Sequence, residues 1–274
     1  MIKVSGMYIE NGGKAIGGQW CHTEGQSTSC GTALYAHAEG FSTTASGYYS
    51  HSEGSNNTAS GQAAHVEGAN GTASGQYSHA EGGSCTATGI AAHAEGTSSQ
   101  ANGNYSHASG YQGKADGTSA WAHGGQNVAN IGATRAQCAV YSMGATVVAG
   151  GASVLTFDGG VPIITSGTGT NVLIIPSLAA YVFELKLSMR AAASATKSQG
   201  WQYSGMIARD AGNPPRLVGS VTQVAGWSDS ALGIVTFSIN TTSNYLNISC
   251  GSNVQTANTV WHGVLTVNEL VSST

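Results

Sequence analysis

Ser50-His51-Ser52-Glu53-Gly54, Ala64-His65-Val66-Glu67-Gly68 and Ser78-His79-Ala80-Glu81-Gly82 are successive copies of one phrase. The phrase is a small residue, His, a small residue, an acid and Gly. It opens at Ala36-His37-Ala38-Glu39-Gly40 and continues at Ala92-His93-Ala94-Glu95-Gly96. It closes, with the acid lost, at Ser106-His107-Ala108-Ser109-Gly110. From His37 to His107 the histidines recur every 14 residues without a slip. Looser copies flank the run at Cys21-His22-Thr23-Glu24-Gly25 and Ala122-His123-Gly124-Gly125. A second signal falls between the copies, at Ala45-Ser46-Gly47, Ala59-Ser60-Gly61, Ala73-Ser74-Gly75, Ala87-Thr88-Gly89, Ala101-Asn102-Gly103 and Ala115-Asp116-Gly117. Self-similarity at a fixed short period marks a repeat architecture.

A 14-residue period in two halves, each ending in Gly, predicts a coil of two short strands joined by two tight turns. Glycine supplies the positive-φ or crowded turn positions that other residues resist. The Gly and Ser/Thr density disfavours helix. The coils would stack in parallel, each strand pairing with its copy ~4.8 Å along the axis. Strand alternation puts Ser50 and Ser52 on one face and His51 and Glu53 on the other. Small residues suit a narrow interior, so His and Glu point out. So thin a coil has little core of its own and calls for lateral association, normally symmetric.

Between Lys14 and Lys114 no Lys or Arg occurs, while Glu24, Glu39, Glu53, Glu67, Glu81 and Glu95 all fall inside. The histidines two residues away are the only local counter-charges. The expected arrangement is an interchain His/Glu ladder of His37, Glu39, His51, Glu53, His65, Glu67, His79, Glu81, His93, Glu95 and His107, since an interfacial carboxylate without a partner is costly. Charged pairing of this kind would raise the His pKa and lower the Glu pKa. Three such histidines around an axis could hold a transition metal. A His beside a carboxylate could also act as a general base. Yet every layer repeats one chemistry, with no His-Glu-x-x-His and no Gly-x-Ser-x-Gly. The expectation is a structural ladder with no catalytic residue, metal or cofactor.

The alternation of Ser-His-Ala-Glu-Gly with Ala-Ser-Gly resembles the head repeats of trimeric autotransporter adhesins, in which an apolar pair fills the His and Glu slots. It resembles more closely the repeats of bacteriophage tail-fibre and tail-tip proteins, over about residues 19–125. The resemblance implies a left-handed parallel β-roll, a homotrimer, and a virion component that meets other tail or baseplate proteins.

Composition narrows the remaining classes. The 274 residues include 40 glycines but no Gly-X-Y period, which excludes collagen. An apolar content of 41% and a net charge of −4 argue against disorder. Few basic residues argue against nucleic acid. No stretch approaches the ~20 apolar residues of a membrane helix. Met1-Ile2-Lys3-Val4 does not lead into a signal-peptide core, so synthesis in the host cytoplasm without a signal peptide is expected. The cysteines (Cys21, Cys30, Cys85, Cys138, Cys250) are odd in number and widely spaced, which points to buried free thiols over a disulfide framework or zinc site.

The organisation expected is all-β. Residues 1–18 are a lead-in or attachment segment, 19–125 the β-roll shaft, 126–150 a transition, and 151–274 an antiparallel, jelly-roll-like β-sandwich head. Apolar runs at Ser153–Phe157, Asn171–Ile175, Tyr181–Met189, Gly205–Ala208, Leu217–Val224, Gly233–Ile239, Tyr245–Cys250 and Thr259–Val267, separated by turn-rich segments, predict about eight strands. Trp201, Tyr203, Trp227, Tyr245 and Trp261 are candidates for sugar stacking, with core packing the commoner fate of strand aromatics. Trp227, before Ser228-Asp229-Ser230, reads as the most loop-like. Arg209, Asp210, Asn213 and Arg216 lie in the longest turn-like segment and offer polar contacts. The expected function is adhesion: a rigid trimeric tail fibre or tip whose head binds a host-surface glycan or protein, without enzymatic activity. The alternatives are a secreted bacterial adhesin head, and a tail-spike depolymerase or autocleaving tail protein. The sparse acids of the head (Asp158, Glu184, Asp210, Asp229, Glu269) weigh against a depolymerase.

Overall fold

The computed structural model describes residues 2–4, 7–10, 14–15, 20–125, 135–147, 151–156, 172–191, 198–228, 233–252 and 259–271. All regular structure among them is β. Two compact units form: 1–116 with 122–125, and 117–121 with 126–274.

The first unit is a β-solenoid. Each His-containing strand pairs in parallel with its copy one coil on, His65 with His79 and Glu67 with Glu81, then His79 with His93 and Glu81 with Glu95. The second half-coil forms its own parallel sheet, Thr58 with Thr72 and Ala59 with Ala73. Ala38, Ser52, Val66, Ala80, Ala94 and Ala108 are fully buried, as are Ala45, Ala59, Ala73, Ala87, Ala101 and Ala115. Small residues therefore line the interior and the His/Glu column faces out. The lead-in segment caps the stack: Ile2–Val4 pairs antiparallel with Met7–Glu10, which pairs in parallel with His22–Gln26.

The two glycine columns do different work. Gly40, Gly54, Gly68, Gly82 and Gly96 have φ between +95° and +103°, which a side chain rarely adopts. Gly47, Gly61, Gly75 and Gly89 have no such φ, but a Cβ on any of them would run into the backbone of the next coil's glycine.

The interior also corrects the cysteine expectation. Cys21 and Cys30 form a disulfide, with Cα atoms 6.4 Å apart. Cys21 takes the inward place that Ala36 holds one coil on, and Cys30 follows Ser29, the partner of Thr44, so it matches Ala45. The coil is so narrow that inward residues of its two strands lie at disulfide distance. Cys85 and Cys250 are buried free thiols, as expected, and burial raises the pKa of both.

The second unit is a two-layer antiparallel sandwich. Its larger sheet runs in the order Arg135–Val147, Thr259–Val271, Ala179–Ala191, Ser198–Arg209, the last pairing with both Arg216–Leu217 and Thr222–Ser228. The smaller comprises Ala152–Val154, Tyr245–Ser252 and Gly233–Asn240. Arg135–Val147 pairs with Thr259–Val271 over its full length, so the first strand of the head falls inside the expected transition. The predicted run at Leu217–Val224 divides into two strands, and around Ile174 only an isolated bridge to Tyr245 forms. Ala179–Ala191 alternates buried and outward residues along nearly its whole length. Its inward column (Tyr181, Phe183, Leu185, Leu187, Met189) packs with Trp201, Tyr203, Trp261, Leu265 and Val267 into the core. Phe237 of the smaller sheet closes that core, 4.9 Å from Tyr203 and 6.1 Å from Phe183 between ring centroids.

Candidate functional site

The outward column of the solenoid is a stack of imidazoles. Ring centroids of His22, His37, His51, His65, His79 and His93 are spaced 4.6–4.8 Å apart with planes within 9° of parallel. Strand spacing dictates this, because in-register parallel pairing places identical side chains over one another. The Glu column runs beside it. Glu39, Glu53 and Glu81 approach the Nε2 of His37, His51 and His79 at 3.6, 3.8 and 3.9 Å, too far for hydrogen bonds. The Nε2 atoms of His37, His51, His65, His79 and His93 are buried without a hydrogen-bond partner. At the end of the run, where Ser109 replaces the acid, Glu95 reaches forward to His107 Nε2 at 3.3 Å, and Ser109 Oγ meets His123 Nδ1 at 3.0 Å.

The expected charged pairing is corrected by this geometry. His37, His51, His79 and His93 have pKa values below the ordinary histidine value, chiefly because burial penalises the charged form and secondarily because stacked imidazoles repel one another's charge. The glutamates oppose this without overcoming it. Along the acid column proton affinities separate. Burial and the flanking carboxyls raise Glu53 and Glu81. Hydrogen bonding from Glu81 lowers Glu67, and Glu95 is lowered despite its desolvation, by hydrogen bonds from His107 and Glu81. His79, Glu81 and His93 bring potential metal-ligand atoms within 4.8 Å of one another, as do Glu39, His51 and Glu53, and Glu53, His65 and Glu67.

The head offers a groove on the outward face of its larger sheet. About 470 Å³ in volume, it is lined by Lys186, Ser188, Gln202, Trp227, His262 and Val264 among others. Cross-strand register assembles it: Lys186 stands opposite Gln202 and Val264, and Ser188 opposite Gly200 and His262. The Trp227 indole lies over Gly200, where a Cβ would come within 3.4 Å of Cε3. It is 62% exposed. Ser142 Oγ and His262 Nε2 are 3.1 Å apart. Ser188 and His262 also line an adjoining hollow of about 520 Å³ with Met189, Arg190, Ser198 and Val260. Two cations, an imidazole, hydroxyls, an amide and an open indole thus share one face, and no carboxylate is among the described residues lining either hollow.

Of the sequence candidates, Trp227 alone among the aromatics is at the surface. Tyr203 is corrected, its inward place in Ser198–Arg209 leaving it 8% exposed; Trp201 is among the residues lining the groove but is itself 5% exposed, stacked on Trp261 at 5.1 Å. Tyr245 is buried as well. Arg209, Asp210, Asn213 and Arg216 gather at the far end of that strand from Gly200, away from the Trp227 groove. They hold their turn together: Arg209 donates to the carbonyls of Ile175 and Asn213, both at 2.9 Å, and Arg216 pairs with Asp210 at 3.3 Å. Asp229 lies outside the described residues. Sequence reasoning missed Lys186, Ser188, Gln202 and His262, whose outward places in Tyr181–Met189 and its neighbours could have been counted off the alternation.

No family model and no curated protein matches this sequence. Among the solved structures that match in part are three phage tailspikes, each with a TM-score below 0.5. The tailspike of Acinetobacter baumannii phage AM24 is 6% identical with a TM-score of 0.31, matching 95% of this chain and 57% of its own. That of Acinetobacter phage vB_ApiP_P1 is 10% identical with a TM-score of 0.25, over 93% and 52%. Tailspike gp49 of A. baumannii bacteriophage Fri1, described as a capsular polysaccharide depolymerase, is 8% identical with a TM-score of 0.30, over 90% and 41%. This chain spans about half the length of the tailspike chains it matches. The comparison corrects the expectation of a protein without enzymatic activity: a similar tailspike is described as a depolymerase, and that expectation is withdrawn.

Proposed function

We propose that this chain is a phage tail protein that engages host-surface polysaccharide through the Trp227 groove of its head. The observation that carries the reading is the exposed indole set in a hollow of hydrogen-bonding side chains. Sugar rings bind by stacking an apolar face on an aromatic while hydroxyls meet polar groups around it, and this hollow supplies both. Lys186 and Arg190 favour acidic sugars. Capsular polysaccharide, on which the Fri1 tailspike is described as acting, is the corresponding class of partner. The chain acts as a homotrimer, with the His/Glu columns of three solenoids against one another. The outward columns of a coil too thin to hold a core support this arrangement, and three weak sites in one trimer would raise avidity. Trp227→Ala should weaken binding of purified host capsule by about tenfold or more with melting temperature unchanged. Calorimetry on particles whose mass equals three chains tests both parts. Unaltered affinity would move the site elsewhere.

A second reading, depolymerisation, takes the acid column as open to substrate and so replaces the interchain ladder. Glycoside hydrolysis uses two carboxyls of different proton affinity. Neighbouring Glu53 and Glu67 bring carboxylate oxygens within 4.8 Å of each other, with His65 beside them. If the column is catalytic, capsule incubated with the protein gains reducing ends, and Glu53→Gln and Glu67→Gln each abolish the gain. Release that survives both substitutions would exclude the column.

A further inference from the structure

One solenoid corner carries residues that the fold does not explain. Trp20, Tyr35, Tyr49, Ala63, Tyr77, Ala91, Tyr105 and Ser119 occupy equivalent places in successive coils, all with φ between +49° and +61°. The left-handed conformation closes the turn, and the N–H there donates to a carbonyl of the preceding coil, as from Tyr77 to Gln62 at 2.8 Å and from Tyr105 to Ile90 at 2.7 Å. Any residue tolerating that conformation serves, as Ala63 and Ala91 do. A bulky side chain is a costly choice there. Burial does not repay it, because Trp20, Tyr35, Tyr49, Tyr77 and Tyr105 are 52–62% exposed.

The spacing is regular. Tyr35 and Tyr49 stack at 5.4 Å. From Tyr49 the aromatics recur at every second coil, Tyr77 then Tyr105, about 9.6 Å apart along the axis. That step is close to the rise of two linked pyranose rings. Amide side chains run alongside, Gln76 donating to Gln62 at 3.0 Å and Asn102 to Asp116 at 2.8 Å. No Lys, Arg or Asp occurs between Lys14 and Lys114, so beside Tyr49 and Tyr77 no such charge stands, and Asp116 at the far end is neutralised by Lys114 at 2.7 Å.

We propose that this corner is a second saccharide site, distinct from the head groove: a track on which a neutral linear glycan lies along the solenoid axis, stacking alternate sugar rings on Tyr49, Tyr77 and Tyr105. Exposed aromatics at a fixed step, flanked by amides, bind such a chain by repeated stacking with hydrogen bonds between platforms. Affinity then rises with chain length until all three platforms are covered.

The test uses the full chain and a Tyr49→Ala/Tyr77→Ala/Tyr105→Ala variant. Alanine already stands at this place in the intervening coils, so the variant should fold. Cello-, malto- and xylo-oligosaccharides of increasing length are the probes, with polygalacturonate as the acidic comparator, and calorimetry and light scattering are the readouts. The expected result is binding of at least one neutral series that strengthens with length, falls about tenfold or more in the triple variant, and survives Trp227→Ala. Failure of every neutral series to bind overturns the proposal. So does a triple variant that keeps its saccharide affinity but loses its oligomeric state, which would make the corner a contact between copies of this chain. Loss of neutral binding in Trp227→Ala alone would return all recognition to the head.

Discussion

Gly75→Ala should unfold the repeat unit or destabilise it by more than about 3 kcal/mol, the upper end of ordinary overpacking costs. A Cβ at Gly75 would stand 2.6 Å from the Gly89 carbonyl carbon, with the Gly89 oxygen closer still. Rotamer change cannot relieve this, because the obstacle is backbone. Nor can the backbone yield locally, because Gly61, Gly75 and Gly89 stand in one column and a displaced coil displaces the next. The φ of Gly75 is not in the left-handed region, so the cost is clearance alone. At Gly82, where φ is +95°, conformational strain adds to the clash. Exposed Ser74→Ala next door is the control and should melt with the wild type. Circular dichroism melts with limited proteolysis report the difference. A Gly75→Ala protein melting like its parent would mean that the coils have slack the structure does not show.

The solenoid was legible because its signals are local and repeated. Alternation inside Ser50-His51-Ser52-Glu53-Gly54 assigns faces, and the 14-residue period assigns pairing partners, so side-chain direction and register both follow from counting. The same counting could have found the Cys21–Cys30 disulfide. Both cysteines occupy inward slots of one coil, whereas a search for cysteine spacing motifs looks along the chain and not across the coil. The head was less legible because its partners are distant in sequence. That Arg135–Val147 should lie against Thr259–Val271, and that Trp227 should come over Gly200, depends on a sheet order no local pattern encodes. Trp201 and Tyr203 show what was lost. Aromatics in a strand stack on a ligand or fill a core according to parity, and parity at Trp201 is fixed by its pairing with inward Leu187. The direction of the histidine shifts was hidden for another reason. Sequence shows each His beside a Glu, but stacking adds a His above and a His below, and burial outweighs both.

Acidification should therefore destabilise the solenoid, and the midpoint of the loss identifies the histidines. A base whose folded pKa lies below its unfolded value leaves the unfolded chain binding more protons wherever the pH is under that unfolded value. His37, His51, His79 and His93 are all of this kind. Above about pH 6.5 both states are neutral at these positions and stability is level. Below it the unfolded chain takes up protons that the stack resists, and stability falls until the folded pKa values are passed. The carboxylates do not pull in one direction. Glu53 and Glu81, raised, cost stability at neutral pH, and that cost is relieved on acidification. Glu67 and Glu95, lowered, contribute stability that acidification removes. The two pairs oppose one another. With the ladder side chains about one-third exposed, solvent screening keeps each contribution modest, so the effect rests on the number of groups in the column. The melting temperature should be flat above neutrality and drop by several degrees between pH 7 and pH 5 at constant ionic strength. Replacing His37, His51, His79 and His93 together by Gln should flatten that drop while preserving the coil, since none of the four is an inward residue. A melting temperature that instead rises on acidification would restore the charged His–Glu pairing that the stacked geometry argues against.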